Sequence, residues 1–371
     1  MRIGFDAKRL FNNFTGLGNH SRTTVDILTQ FHPGNEYLLY TPKIKHNPVT
    51  DRYLDKAGCH TILPHGLLRG SAWRTFALAQ TAKKDSVDIF HGLSNELPTR
   101  LDIPSVVTIH DVAFKTFPDM YHATSRFIYN QKWRHACNVA DRIIAISEST
   151  KQDIIRFYNV DPDRIDVVYQ PVNSLYYTDD KGICPQSIAR YTDNPYMLYV
   201  GSINSRKNLL GIVKAIELLP KDLRIPLIVI GDGREYKQKV FEYIATHKLQ
   251  DAVVFSPEKV GIEGLRYLYR NARLLVYPSF YEGFGLPVVE ALLSHCPVIT
   301  SNVSSLPEAA GPDSLLVEPS DIRDIADKIS LLLTDDTLRQ GVTEKGYRYA
   351  MESFSPKVLA DRLMNIYKQL I

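Results

Sequence analysis

The sequence predicts an α/β protein of two doubly wound domains, on three observations. Short apolar runs recur between longer stretches of helical periodicity, the pattern occurs twice, and a stretch without periodicity separates the two copies. The apolar runs are continuous and not alternating, which means strands covered on both faces, as in parallel sheets with helices on either side. A chain of 371 residues, 44% apolar and 23% charged, is long enough for two separate cores.

In the first half the runs are RIGFD, YLLYT, DIFHG, SVVTIHD and RIIAIS. The opening MRIGFDAKRL is interrupted by Arg2, Asp6, Lys8 and Arg9 and lacks the apolar stretch of a secretory leader, so it reads as the first strand. In the second half MLYVGS, PLIVIGDG, AVVFS, RLLVYPS and PVITSN alternate with the periodic stretches KNLLGIVKAIELL, EYKQKVFEYIATH and GIEGLRYLYRNA. Between the halves, residues 172–195 carry Pro, Gly and Asp punctuation and read as the linker, so the domains are placed at 1–174 and 190–354. After Gly311 the chain reads as helical, and Ser355-Pro356 restarts a last helix through 355–371. Open α/β sheets bind ligands beyond the carboxyl ends of their strands, so the active site is expected to face a cleft between the two domains.

Composition excludes several classes. The 44 basic and 41 acidic residues give a net charge of +3, with no clustered basic stripe for a nucleic-acid partner. Cysteines 59, 137, 184 and 296 show neither a CxxC pair nor metal-ligand spacing and read as thiols in a reducing compartment. No apolar run approaches the ~20 residues that cross a bilayer, which points to a cytoplasmic protein with at most peripheral contact at the inner face of the membrane. One stretch, GSAWRTFALAQTAKK, is amphipathic, with Trp73, Phe76, Leu78 and Ala79 among Arg69, Arg74, Lys83 and Lys84. Its first reading is a helix packed on its own sheet, and its second is docking at an anionic membrane.

The strongest local signal is YPSFYEGFGLPVVE, from Tyr277 to Glu290, a strand followed by a helix that Pro287 opens. The amides of Gly283, Phe284 and Gly285 would then point at a ligand. A glycine-flanked helix N-terminus suits a diphosphate, whose charge meets the positive end of the dipole. Glu282 and Glu290 are too far apart to share one reacting atom and are suited to hydroxyls at opposite ends of one ligand. By spacing alone they equally read as a helix cap and a solvated helix residue. In GSINSRKN, which begins at Gly201, Arg206 and Lys207 enter a helix, where fixed cations would stabilise a leaving diphosphate. TGLGNHS places Gly16 and Gly18 at a strand-to-helix turn, a broken G-x-G-x-x-G with Ser21 in the last place, so a dinucleotide reading is weak. His110 and Asp111 close SVVTIHD at its carboxyl end, where a lone His also reads as a hydrogen-bonded core residue.

EGFGLPVVE resembles the E-x7-E signature of the family-4 retaining glycosyltransferases, which have the GT-B fold of two Rossmann-like domains. DAKRLFNNFTGLGNHSRTTVDIL is similar to the D-A-R…T-G-I-G opening of mannosyltransferase-like members, and VVTIHDVAF, ADRIIAISESTKQDI and YVGSINSRKNLLGIVKA fall in the family's order. The resemblance implies that Glu290 holds the donor ribose and that Glu282 holds sugar hydroxyls beside the 283–286 loop, which ends at Leu286. It implies that Lys207 grips the diphosphate. The Arg that many relatives carry after the glycine is Ser202 here, so Arg206 is left as the second cation. It also implies His110 near the donor sugar, the Gly16–Gly18 loop over the phosphates, Asn19, His20 and Asp111 on the acceptor side, and a C-terminal helix crossing back to the first domain.

The activity implied is retaining transfer of a hexose, mannose from GDP-mannose, to a hydroxyl of a glycan or lipid-linked glycan in surface polysaccharide synthesis. It needs neither cofactor nor metal. The rival readings are a nucleotide-sugar epimerase or hydrolase of the same fold and a catalytically silent sugar-nucleotide-binding subunit.

Overall fold

Apolar runs of three to five residues, too short to be helices, become the strands of two parallel sheets in the computed structural model, which describes residues 1–65 and 68–371. The first unit comprises Met1–Asn173 with Phe354–Ile371, and the second Ser174–Ser353. Strands of the first unit are β1 (Arg2–Asp6), β2 (Glu36–Tyr40), β3 (Cys59–Ile62), β4 (Ile89–Gly92), β5 (Ser105–Ile109), β6 (Arg142–Ala145) and β7 (Ile165–Val167). They lie in the order β3-β2-β1-β4-β5-β6-β7, every pairing parallel. Neighbouring residues on one strand enter opposite cores. Ile89 and Val106 pack with the C-terminal helix residues Leu359 and Leu363, whereas Phe90 and Val107 pack with Trp133 and Cys137. Both faces being covered is why the runs are continuous.

The second unit holds β8 (Met197–Val200), β9 (Leu227–Ile230), β10 (Val253–Phe255), β11 (Leu274–Tyr277), β12 (Val298–Ser301) and β13 (Leu315–Val317). Their order is β10-β9-β8-β11-β12-β13, again all parallel. The order of each sheet reverses direction once, next to its first strand, which is the doubly wound arrangement expected from the sequence.

Three strands, β3, β7 and β13, are not foreseen by the sequence reading, which takes everything after Gly311 as helix. All three are sheet edges of three or four residues and are only partly buried, so none carries a continuous apolar run. The segment read as a linker is also structured. Tyr176 is buried against the Tyr269 ring at 6.1 Å, Ile188 is fully buried, and Arg266 donates to Thr178 Oγ1 at 2.7 Å and to the Asp180 carbonyl at 2.6 Å. These contacts fasten it to the second unit.

The last helix, Pro356–Lys368, packs on the first unit, where Tyr367 Oη and His91 Nδ1 are 2.6 Å apart in the core. His91 Nε2 is 2.8 Å from Thr108 Oγ1, and burial pushes its pKa down to about 3, so this histidine is a neutral structural anchor. The amphipathic stretch forms two helices, Gly70–Phe76 and Leu78–Lys84, in place of one. Trp73, Leu78 and Ala79 are buried, and Arg74 pairs with Asp6 and with Glu96 at 2.5 Å each, which bears out its reading as a packed element.

Candidate donor site

Two loops at the carboxyl ends of adjacent strands β8 and β11 build the site of the second unit. After β8, Gly201 turns the chain and Asn204 caps a single 3-10 turn, Ser205–Lys207, its side chain accepting from the Lys207 amide at 3.3 Å. Asn208, left-handed at φ +56°, then starts the helix Leu209–Leu218. After β11 the chain passes through Ser279 and Glu282 to Gly285, whose φ of +111° an L side chain resists. The helix Leu286–Leu293 follows, with Pro287 in its first turn. The two loops are tied together by the Phe280 amide donating to the Arg206 carbonyl at 2.8 Å.

Glu282 is the centre of a buried polar cluster. Its Oε1 accepts from Ser279 Oγ at 2.7 Å, from Tyr277 Oη at 3.0 Å and from Lys207 Nζ, and its Oε2 lies 3.2 Å from Arg206 Nη1. Lys207 Nζ also donates to Tyr277 Oη, 5.0 Å from that ring's centroid, and Arg206 donates to the Tyr281 carbonyl. Burial pushes the Glu282 carboxyl up, but Lys207 and Arg206 beside it outweigh burial and hold it below the usual range. With one carboxylate against two cations the cluster keeps a net positive charge, which suits an anion. Oε1 already accepts three hydrogen bonds, so sugar hydroxyls have room only at Oε2.

The loop backbone is fixed from the other side. Ser305 Oγ lies 2.9 Å from both the Glu282 and Phe284 carbonyls, and Ser304 Oγ accepts from the Glu282 amide at 3.0 Å. Glu290, partly buried one turn into the helix, accepts from Tyr269 Oη at 3.1 Å, and burial raises its pKa to about 7. Among the described residues no hydrogen bond joins its carboxyl to the Glu282 cluster.

In the first unit the glycines sit differently from the sequence reading. A short helix, Lys8–Asn12, follows β1, and Gly16 and Gly18 are the first turn of the helix Gly16–Phe31 in place of a direct strand-to-helix turn. The Gly18 amide is already taken, donating to Asn13 Oδ1 at 3.0 Å, and a Cβ there would lie 1.8 Å from the Asn13 carbonyl. Asn19 is exposed and its Oδ1 accepts from Arg22 at 2.6 Å. His20 and His110 meet edge to face, ring centroids 4.4 Å apart, both buried. His110 Nε2 lies 2.9 Å from the Leu93 carbonyl, which can only accept, so the proton sits on Nε2 and Nδ1 carries a lone pair. Burial lowers the pKa of both rings, and neighbouring His110 adds to the effect on His20, so both are neutral near pH 7. His20 Nδ1 is buried without a hydrogen-bond partner among the described residues. Asp111 is turned to structure, its Oδ1 accepting from the Ala113 amide at 3.0 Å and its carbonyl from Trp133 Nε1 at 3.0 Å.

Residues 15–174 match the model described as Glycosyltransferase Family 4, and residues 180–349 the model described as Glycosyl transferases group 1. Over 287 residues, 76% of this chain and 74% of the relative, the sequence is 36% identical to O-antigen chain mannosyltransferase B of Escherichia coli. The chain belongs to the group 1, family 4 glycosyltransferases. This glycosyltransferase is also 29% identical to the O-antigen chain mannosyltransferase RfbU of Salmonella typhimurium strain LT2, over 58% of this chain and 57% of that one. Among solved structures, Anabaena HepE in complex with UDP-glucose superposes with a TM-score of 0.76 over 100% of both chains at 16% identity, a likeness of fold alone. The fold is GT-B.

Sequence reasoning brought Glu282, Arg206 and Lys207 to one place but missed what holds them. Ser279 lies inside the motif but shows no role there, and Ser304, Ser305 and Tyr269 lie outside it, so only the packing of the segment after β12 and of the helix Ile262–Asn271 against the loop reveals them.

Proposed function

We propose that the glycosyltransferase moves a hexose, mannose from GDP-mannose, with retention of configuration, to a hydroxyl of a glycan or lipid-linked glycan in surface polysaccharide synthesis. The observation that carries the reading is the buried Lys207–Arg206–Glu282 cluster beside the helix that starts at Leu286. Fixed cations and helix amides stabilise charge developing on a leaving diphosphate without a metal. Glu290 takes the donor ribose and Glu282 orients the cations and, through Oε2, the sugar. In the first unit, neutral His110 offers Nδ1 as an acceptor to a sugar hydroxyl. The mannose and polysaccharide assignments are supported by the names of the Escherichia coli and Salmonella relatives.

The test is isothermal titration of GDP, UDP and ADP, each with and without magnesium, repeated on Glu290→Ala. Metal-independent binding of GDP, weakened in the variant, is the expected result. Tighter binding of UDP or ADP overturns the donor, and no binding of any nucleotide overturns the transferase site.

A further inference from the structure

The adjacent parallel strands β1, β4 and β5 of the first unit bring their carboxyl ends together, and the residues that follow them carry more cations than their carboxylates pair. Lys8 and Arg9 follow β1, Glu96 follows β4, and His110 and Asp111 follow β5. Arg74 meets Asp6 and Glu96 at 2.5 Å each, and Lys132 meets Glu96 at 3.0 Å, so both of these acids are already satisfied. Neither Lys8 nor Arg9 takes part in an ion pair among the described residues.

Both side chains are partly buried, and Arg9 Nε is enclosed without an acceptor among the described residues. A buried guanidinium N–H with its hydrogen bond unmade is costly. Lys8 is held where its charge is disfavoured, since burial and then Arg74 lower its pKa. Burial is the main cause of the lowered His110 pKa, and Arg9 is near enough to add to it. With the histidines neutral, Lys8, Arg9, Arg74 and Lys132 outnumber Asp6, Glu96 and Asp111, so the group keeps a positive charge. A guanidinium fork beside an ammonium matches the several oxygens of a phosphate.

We propose that Lys8 and Arg9 bind a phosphate carried by the acceptor, beside His110. Lys207 and Arg206, the cations for the donor diphosphate, belong to the second unit, which leaves this first-unit pair for a different anion. The proposal rests on the transferase reading, because it names a charge on the second substrate of that reaction. A lipid diphosphate carrier and a phosphorylated sugar of the glycan both present such oxygens.

The experiment titrates the full chain, with and without GDP, with farnesyl diphosphate-linked mannose, with mannose 6-phosphate and with methyl α-mannoside as the uncharged control. At least one phosphate probe should bind about tenfold or more tighter than methyl α-mannoside, and should lose that advantage in the double variant Lys8→Gln, Arg9→Gln and as added salt screens it. Such binding by the farnesyl probe alone identifies the lipid carrier, and by mannose 6-phosphate alone the glycan. Near-ultraviolet circular dichroism should match the wild type; if the spectrum of the double variant changes, Lys8→Gln and Arg9→Gln are read singly in its place. GDP affinity should stay within about twofold in the variants. Phosphate probes held no tighter than methyl α-mannoside, equal binding by the variants, or a loss of GDP affinity as large as that of the phosphate probe each overturns the proposal. If wild type binds no GDP but holds a phosphate probe through Lys8 and Arg9, the donor assignment falls and the phosphate site stands.

Discussion

Replacing Glu290 by Gln should stabilise the second unit, and only above a definite pH. Burial lifts the Glu290 carboxyl from 4.5 to about 7, the Tyr269 hydrogen bond lowering it slightly. The folded chain therefore binds this proton more tightly than the unfolded chain does. What the group contributes to stability is fully present below 4.5 and is lost as pH rises through about 7. At about 1.4 kcal/mol for each pH unit, the difference corresponds to about 3 kcal/mol, which solvent reaching the partly buried side chain reduces to about 2 kcal/mol. Gln keeps an oxygen for Tyr269 Oη and never ionises. The variant should match the wild type at pH 4 and exceed it by about 2 kcal/mol at pH 8. Trp73 and Trp133 are both in the first unit, so their fluorescence does not follow this change, whereas hydrogen exchange of the helix Leu286–Leu293 does. Protection in the variant that shows the same pH dependence as the wild type would refute the reasoning.

Three other outcomes follow from the same geometry. If Glu290 accepts from a ribose hydroxyl as a carboxylate, nucleotide affinity should fall about tenfold from pH 8 to pH 6 in the wild type and by clearly less in Glu290→Gln, the difference removing titration of the nucleotide's own phosphates; parallel titration curves would contradict it. Lys207→Ala leaves Glu282 with Arg206 as its remaining cation and should lower turnover about 100-fold or more, and full turnover would remove Lys207 from the mechanism. Gly285→Ala forces an L side chain to φ +111° with its Cβ 2.9 Å from Leu306 Cδ2, and should cost about 1–3 kcal/mol, read as lost exchange protection of the helix it caps.

Much of the donor loop is legible in sequence because backbone needs are written in residue types. Gly285 is required by its positive φ, Pro287 by the first helical turn, and Asn204 by the cap it forms. The edge strands β3, β7 and β13 are not legible, since three or four half-exposed residues leave no periodicity to read. The sequence counts Arg74 among the charges of the amphipathic stretch 70–84, yet Arg74 is buried, its charge balanced by Asp6 and Glu96 from elsewhere in the chain.

The sequence by itself determined the doubly wound class, the two-unit plan and the residue types at the donor loops, all of which depend on local pattern: buried strands, glycine conformation, helix starts. Tertiary structure alone decided the state of each group. Glu282 and Glu290 are the same residue eight positions apart, but two cations reach Glu282 and hold it ionised, while Glu290 has one phenol and is pushed toward neutrality. Which partners arrive from 75 or 21 residues away is set by the order of strands in the sheet, and no local pattern records that order.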